Sequence, residues 1–226
     1  MSLYLPPMSI LQEIGFLLKK EILLEWRQRY ALGGILLYVV STVFIVFLST
    51  MDIGAQIWNI LFWIIVLFAS VNAVVKSFVQ ENSNRQLYYY TLANPIAIIC
   101  SKILYNIGLL FLLVSLSYAA MTVVAENPVR NTTMFWAALF LGSVGFSITF
   151  TFISAIASKA DNSATLMAIL SFPLVIPILG TLMKISRNAL ALEQDTSIGQ
   201  DFLTLVAIDL ILFGLALILF PFLWKD

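Results

Sequence analysis

Long apolar runs alternate with short polar ones along the whole chain. Six of them reach the roughly 20 residues that an α-helix needs to cross a hydrocarbon layer about 30 Å thick. They are 31–49, 57–75, 99–124, 135–157, 164–183 and 202–223. Each run is continuous rather than alternating, which excludes barrel strands and leaves helices as the spanning structure. The stretch ahead of the first run, 8–30, has another pattern. Ile10, Ile14, Leu17, Leu18 and Ile22 share one side of a helical wheel, and Gln12, Lys19, Lys20 and Arg27 share the other. That pattern predicts an interfacial helix with Trp26 and Tyr30 at headgroup depth, because its charges are too dense for hydrocarbon. Phe16, Glu21, Leu23 and Glu25 break the pattern. The other reading is that this stretch starts a long, tilted first span. Without repeats, low-complexity tracts or a soluble block, the expectation is one all-α membrane domain over 1–226.

Composition strengthens this reading. The chain is 61% hydrophobic and 11% charged, where soluble domains carry about 25% charged residues. Its formal net charge of zero argues against nucleic acid as a partner. The only cysteine, Cys100, lies in an apolar run, so no disulfide forms within the chain. Histidine is absent, which removes the commonest general base and metal ligand. The opening MSLYLPPMSI lacks the basic and apolar regions of a cleaved signal peptide. Lysine and arginine set the orientation. With the N-terminus inside, nine of the twelve fall on the inner side and Arg130, Lys184 and Arg187 on the outer. Both termini are then expected in the cytoplasm, and the protein in the bacterial inner membrane.

Catalytic signatures are missing. There is no Gly-x-x-x-x-Gly-Lys-Ser/Thr loop for ATP and no Gly-x-Ser-x-Gly elbow. One cysteine and no histidine exclude zinc hydrolysis and Cys–His catalysis. The expectation is a non-enzyme that binds no metal or cofactor of its own. It would be a transporter, channel or assembly subunit, and a channel is disfavoured because no charge ring marks the spans.

Four features carry the functional reading. The fourth span is rich in small residues, from Ala137 through Gly142, Gly145 and Ser147 to Ala157, and packs either within one subunit or between two. The fifth holds Pro173 and Pro177 on one face, as a packing bend or as a hinge or pathway wall. Asp209 lies within the sixth span toward its outer end. It has either a structural role, by snorkelling or bonding to a neighbouring helix, or a functional one. The outer stretch from Lys184 to Asp201 has a short helix expected near Ala189–Glu193. The inner polar insert 79–95 is the largest between spans.

The order of parts resembles the ABC-2 type permeases, with a type V exporter-like fold of six spans and an N-terminal interfacial helix. More closely, the chain resembles the CcmB family. The resemblance lies in Glu81, Leu87, Leu92, Pro95 and the early Lys102, and in FPLVIPIL from Phe172 to Leu179. QLYYYTLANP departs from the family's more aliphatic pattern, and Asn84 stands where a glycine is usual. The resemblance implies a permease subunit of the cytochrome c maturation complex, working with the ATPase CcmA. ATP and Mg would be bound in that partner, and haem would be a possible substrate. A second copy of the chain, CcmC, CcmD and CcmE-like haem-handling proteins, and membrane lipid complete the implied partners.

On that reading 79–95 is an ATPase-coupling segment. Glu81 and Arg85, four apart, pair or contact the partner. Leu87, Tyr88, Tyr89 and Tyr90 supply the anchoring area up to Pro95, unless the tyrosines form an interfacial belt. Two alternatives stand: a non-conducting scaffold of the maturation complex, and an ABC-2 permease for another lipid-like substrate. A conduit predicts a cavity between spans two and five, with Asn72, Asn106 and Ser171 on its wall.

Overall fold

The computed structural model describes the backbone of residues 9–27, 29–49, 54–74, 78, 94–159, 163–193 and 197–225. Among these residues the chain is helical throughout. The helices are α1 (Ile10–Arg27), α2 (Arg29–Ser49), α3 (Ala55–Val74), α4 (Pro95–Val124), α5 (Thr132–Ala157), α6 (Ser163–Ala189) and α7 (Ile198–Lys225). Five of them, α3 to α7, are long and apolar enough to cross a membrane. The segment expected as the first span is a helix of 21 residues, α2.

Local chemistry sets the helix ends. α4 begins at Pro95 rather than at Ile99. Asn94 caps it, its side-chain oxygen accepting from Ile96 N at 3.0 Å. Pro95 fills the first helical position, where a missing N–H costs nothing. Asn131 caps α5 in the same way, accepting from Met134 N at 3.1 Å. α6 runs to Ala189, past its expected end at Met183. It stops where Ala191 turns left-handed, at φ 56°. The Leu192 N–H then donates back to Arg187 O at 2.9 Å. The separate short helix expected near Ala189–Glu193 therefore does not exist. Those residues are the last turn of α6 and its termination.

α5 is the central helix and packs against α3, α4, α6 and α7. Its small residues make this possible. A Cβ added at Gly142 would meet the Leu182 side chain of α6 at 3.0 Å. Three buried hydroxyls of α5 donate to backbone carbonyls: Ser143 to Leu139 O, Thr149 to Gly145 O, and Ser147 across to Ile103 O of α4. The small-residue stripe therefore serves packing inside the subunit. α2 lies on α3 and α4, and α1 lies mainly on α4.

At the end remote from α1, Trp58, Phe62, Tyr118 and Phe135 form a buried aromatic cluster with ring centroids 5.1–6.4 Å apart. Trp63 Nε1 donates to Ser186 Oγ at 2.7 Å, tying α3 to α6. The N-terminus of α5 meets the C-terminus of α6 directly, as Arg130 N and Asn131 N both donate to Ala189 O. Lys184–Asp201 and Arg187–Glu193 ion pairs, at 3.3 and 3.1 Å, close the α6–α7 connection.

Candidate functional site

One of the residues that broke the amphipathic pattern of α1, Glu21, lies in its contact with α4. Glu21 Oε1 is 3.4 Å from Lys102 Nζ, and Lys102 is only 3% exposed. The same ammonium sits 4.6 Å above the ring of Phe78. Leu23, by contrast, faces outward. About two turns earlier than Glu21, Glu13 Oε1 accepts from the backbone N–H of Asn94 at 2.6 Å. That carboxylate therefore sits at the positive end of α4, where the helix dipole favours it. α1 is fastened at two points to the stretch where the polar insert rejoins the bundle. Amphipathicity alone describes an α1 lying on lipid. The carboxylates describe one clamped to protein.

Above this clasp a groove of about 420 Å³ opens between α1, α4, α5 and α7. Its wall is formed by Ile14 of α1, Cys100 and Leu104 of α4, Val144 of α5, and Leu210 and Phe213 of α7. Asp209 also lines it.

Asp209 is 5% exposed, and neither carboxylate oxygen has a hydrogen-bond partner. It lies eleven residues into the 28-residue α7, about 16 Å along the axis at 1.5 Å per residue. It thus sits close to the middle of the helix rather than toward its outer end, because α7 starts at Ile198, before the expected 202. The side chain neither snorkels nor bonds a neighbouring helix. It presses on Gly145, where an added Cβ would fall 2.5 Å from Asp209 Oδ1 and 3.4 Å from Ile178 Cγ2.

The other expected site residues are scattered. Glu81, Arg85, Leu87, Tyr88, Tyr89 and Tyr90 lie outside the described residues. Pro95 is the first residue of α4. Pro173 and Pro177 lie within an unbroken α6, on an outward face flanked by Phe172 and Ile176, each 60% exposed. They do not line the groove. Asn72 is exposed, whereas Asn106 is buried and donates to Thr151 Oγ1 at 2.7 Å. Ser171 is buried in α6. None of the three lines the apolar groove between α1, α4, α5 and α7. Ile14, Cys100, Gly145 and Glu21 were not expected as site residues; the signal for Glu21 was an acid that breaks the apolar face of α1.

A protein-family model described as CcmB protein matches residues 12–223, nearly the whole chain. No curated protein matches the sequence.

Proposed function

The chain belongs to the CcmB family, and on that premise we propose that it couples ATP hydrolysis by a separate ATPase, CcmA, to haem export or to release of a haem-loaded chaperone. Membership makes it a membrane permease component of the cytochrome c maturation ABC system. The observation that carries the proposal is the family match over an all-helical, strongly apolar chain with no ATP-binding loop of its own. Work must then enter from a partner.

The insert 79–95 is the proposed point of entry, in a bundle of six crossings, α2 to α7, with an ABC-2 fold. Both termini and the insert face the cytoplasm in this reading, and the protein lies in the inner membrane. The clasp supports the assignment. Motion of the insert reaches Asn94, whose N–H is held by Glu13. The same helix carries Lys102, held by Glu21. α1 and α4 would therefore move as one body. Glu81, Arg85, Leu87, Tyr88, Tyr89 and Tyr90 are the proposed ATPase contacts, and the prolines of α6 the proposed hinge.

Changing Tyr88, Tyr89 and Tyr90 together to serine should abolish copurification of the ATPase while leaving the permease in the membrane. Undiminished copurification would remove the tyrosines from the interface.

A second reading, a scaffold that conducts nothing, is favoured by one observation. The polar residues suited to a path are either bonded inside the bundle, like Asn106, or turned outward, like Asn72. Haem transport by reconstituted protein and ATPase, without the other maturation subunits, separates the two.

A further inference from the structure

The polar insert has a root at each end, and α1 is tied to both. The first root is Phe78, immediately ahead of the insert. Its ring is buried and packs on the buried ring of Phe220 in α7, with centroids 5.6 Å apart. The Lys102 ammonium of α4 stands 4.6 Å above the same ring and pairs with Glu21 of α1 at 3.4 Å. The second root is Asn94, whose N–H donates to Glu13 of α1. Eight positions separate Glu13 from Glu21, and eight separate Asn94 from Lys102. The two helices therefore run past each other in the same direction, with contacts about 12 Å apart along each axis.

Stability alone does not call for a lysine here. Replacing a buried ion pair by apolar side chains of similar volume is often neutral or stabilising. What a buried cation adds is placement. An ammonium is attracted to the face of a ring and not to its edge, so Lys102 fixes how Phe78 is turned as well as where it sits. Glu21 fixes Lys102 in turn. The line of contacts closes on itself: Phe78, Lys102, Glu21, along α1 to Glu13, and Asn94.

We infer that α1 is a brace that holds the two roots of the insert at a set separation, with Lys102 as the positioning residue that ties the first root to it. A loop with free ends absorbs a push. A loop with braced ends hands the push on, through Phe78 to α7 and through Asn94 to α4 and α1. This rests on the reading of the insert as the ATPase contact, and it names the residues that hold the ends of that contact.

The test uses the full chain in phosphatidylcholine nanodiscs, with 4-fluorophenylalanine at position 78. The fluorine resonance reports the cation above the ring. Lys102→Met removes the charge and keeps the length, and it should shift the resonance. Glu13→Ala should shift it in the same direction, although Glu13 holds the other root. Leu11→Ala, at a position 80% exposed on α1, should leave it unchanged. A resonance unmoved by Glu13→Ala makes the roots independent and overturns the brace. An equal shift in Leu11→Ala overturns it too, by making the effect a general loosening of α1. The second readout is affinity for the ATPase, which should fall about tenfold in Lys102→Met and in Glu13→Ala and be retained in Lys102→Arg. Unchanged affinity in the first two variants overturns the positioning role. An unaltered chain that binds no ATPase sinks the reading of the insert instead, and the fluorine signal still decides the brace. Should Lys102→Met fail to fold, Glu13→Ala remains readable, because it strands one backbone N–H and no buried charge.

Discussion

A methyl group at position 145 would stand 2.5 Å from Asp209 Oδ1 and 3.3 Å from its Cγ. Gly145→Ala therefore overpacks the seam between α5 and α7, and such insertions cost about 1–3 kcal/mol. The expected outcome is a lower melting temperature in detergent, regained when Asp209→Ala is added. A double mutant no more stable than Gly145→Ala alone would place the strain elsewhere. Asp209→Leu removes both unpartnered oxygens and is expected to raise stability by about 1–3 kcal/mol, read as a higher midpoint by scanning calorimetry. An acid inside an apolar run is visible in the sequence. That no neighbour answers it is not, since the answer would come from α5 and α6, at least 20 positions away.

Along the helices, the clasp between α1 and α4 makes its own prediction. Lys102 is almost wholly covered and Glu21 is 15% exposed. Glu21 also pairs with Lys20 at 2.9 Å and Lys102 also sits over the Phe78 ring, so the loss on removing Glu21 stays below the roughly 3–5 kcal/mol of a stranded buried charge. Glu21→Gln should show that loss in chemical denaturation, and the reversal Glu21→Lys with Lys102→Glu should recover part of it. The outer pair Lys184–Asp201 has a lysine 55% exposed, so Lys184→Ala should change stability by less than about 1 kcal/mol. Limited proteolysis at the α6–α7 connection would register any larger effect. The spans were legible from apolar length, within a few residues at most ends. The larger miss, at the end of α6, has a physical reason. Lys184, Ser186 and Arg187 read as loop, yet helices continue past the apolar boundary until a backbone turn stops them, here at Ala191. The start of α4 was written in Asn94-Pro95, a capping pair that apolar length overlooks.

For the molecule as a whole, the layout separates two jobs. The end remote from α1 is tied by aromatic packing, by the Trp63–Ser186 bond and by the α5–α6 junction. The α1 end is joined by charge, through Glu13 and Glu21. Charge contacts reorganise more readily than packed rings, so movement is expected at the α1 end with the remote end as its pivot. Amide exchange should show Asn94 and its helical neighbours opening faster in Glu13→Ala, with α3 residues 58–63 unchanged. Equal acceleration at both ends would contradict the division. The number of helices among the described residues was readable from the sequence. The groove was not, because it is made by the way α4 and α7 flank α5.

The position of α5 also has a consequence for biogenesis. Its surface is full of hydroxyls and glycines, and most of it is covered in the finished protein. α3 and α4 precede it in the chain, and α6 and α7 follow. When α5 leaves the insertion machinery, half its sheath does not yet exist. Thirty-two residues separate Ala157 from the end of α6 at Ala189, about 2–6 s of synthesis at 5–20 residues per second. For that interval a face shaped for Leu182 and Asp209 meets lipid or a chaperone instead. A ribosome that stalls before α6 leaves a product whose least apolar candidate span is the last one made, the kind of end that membrane proteases are equipped to find.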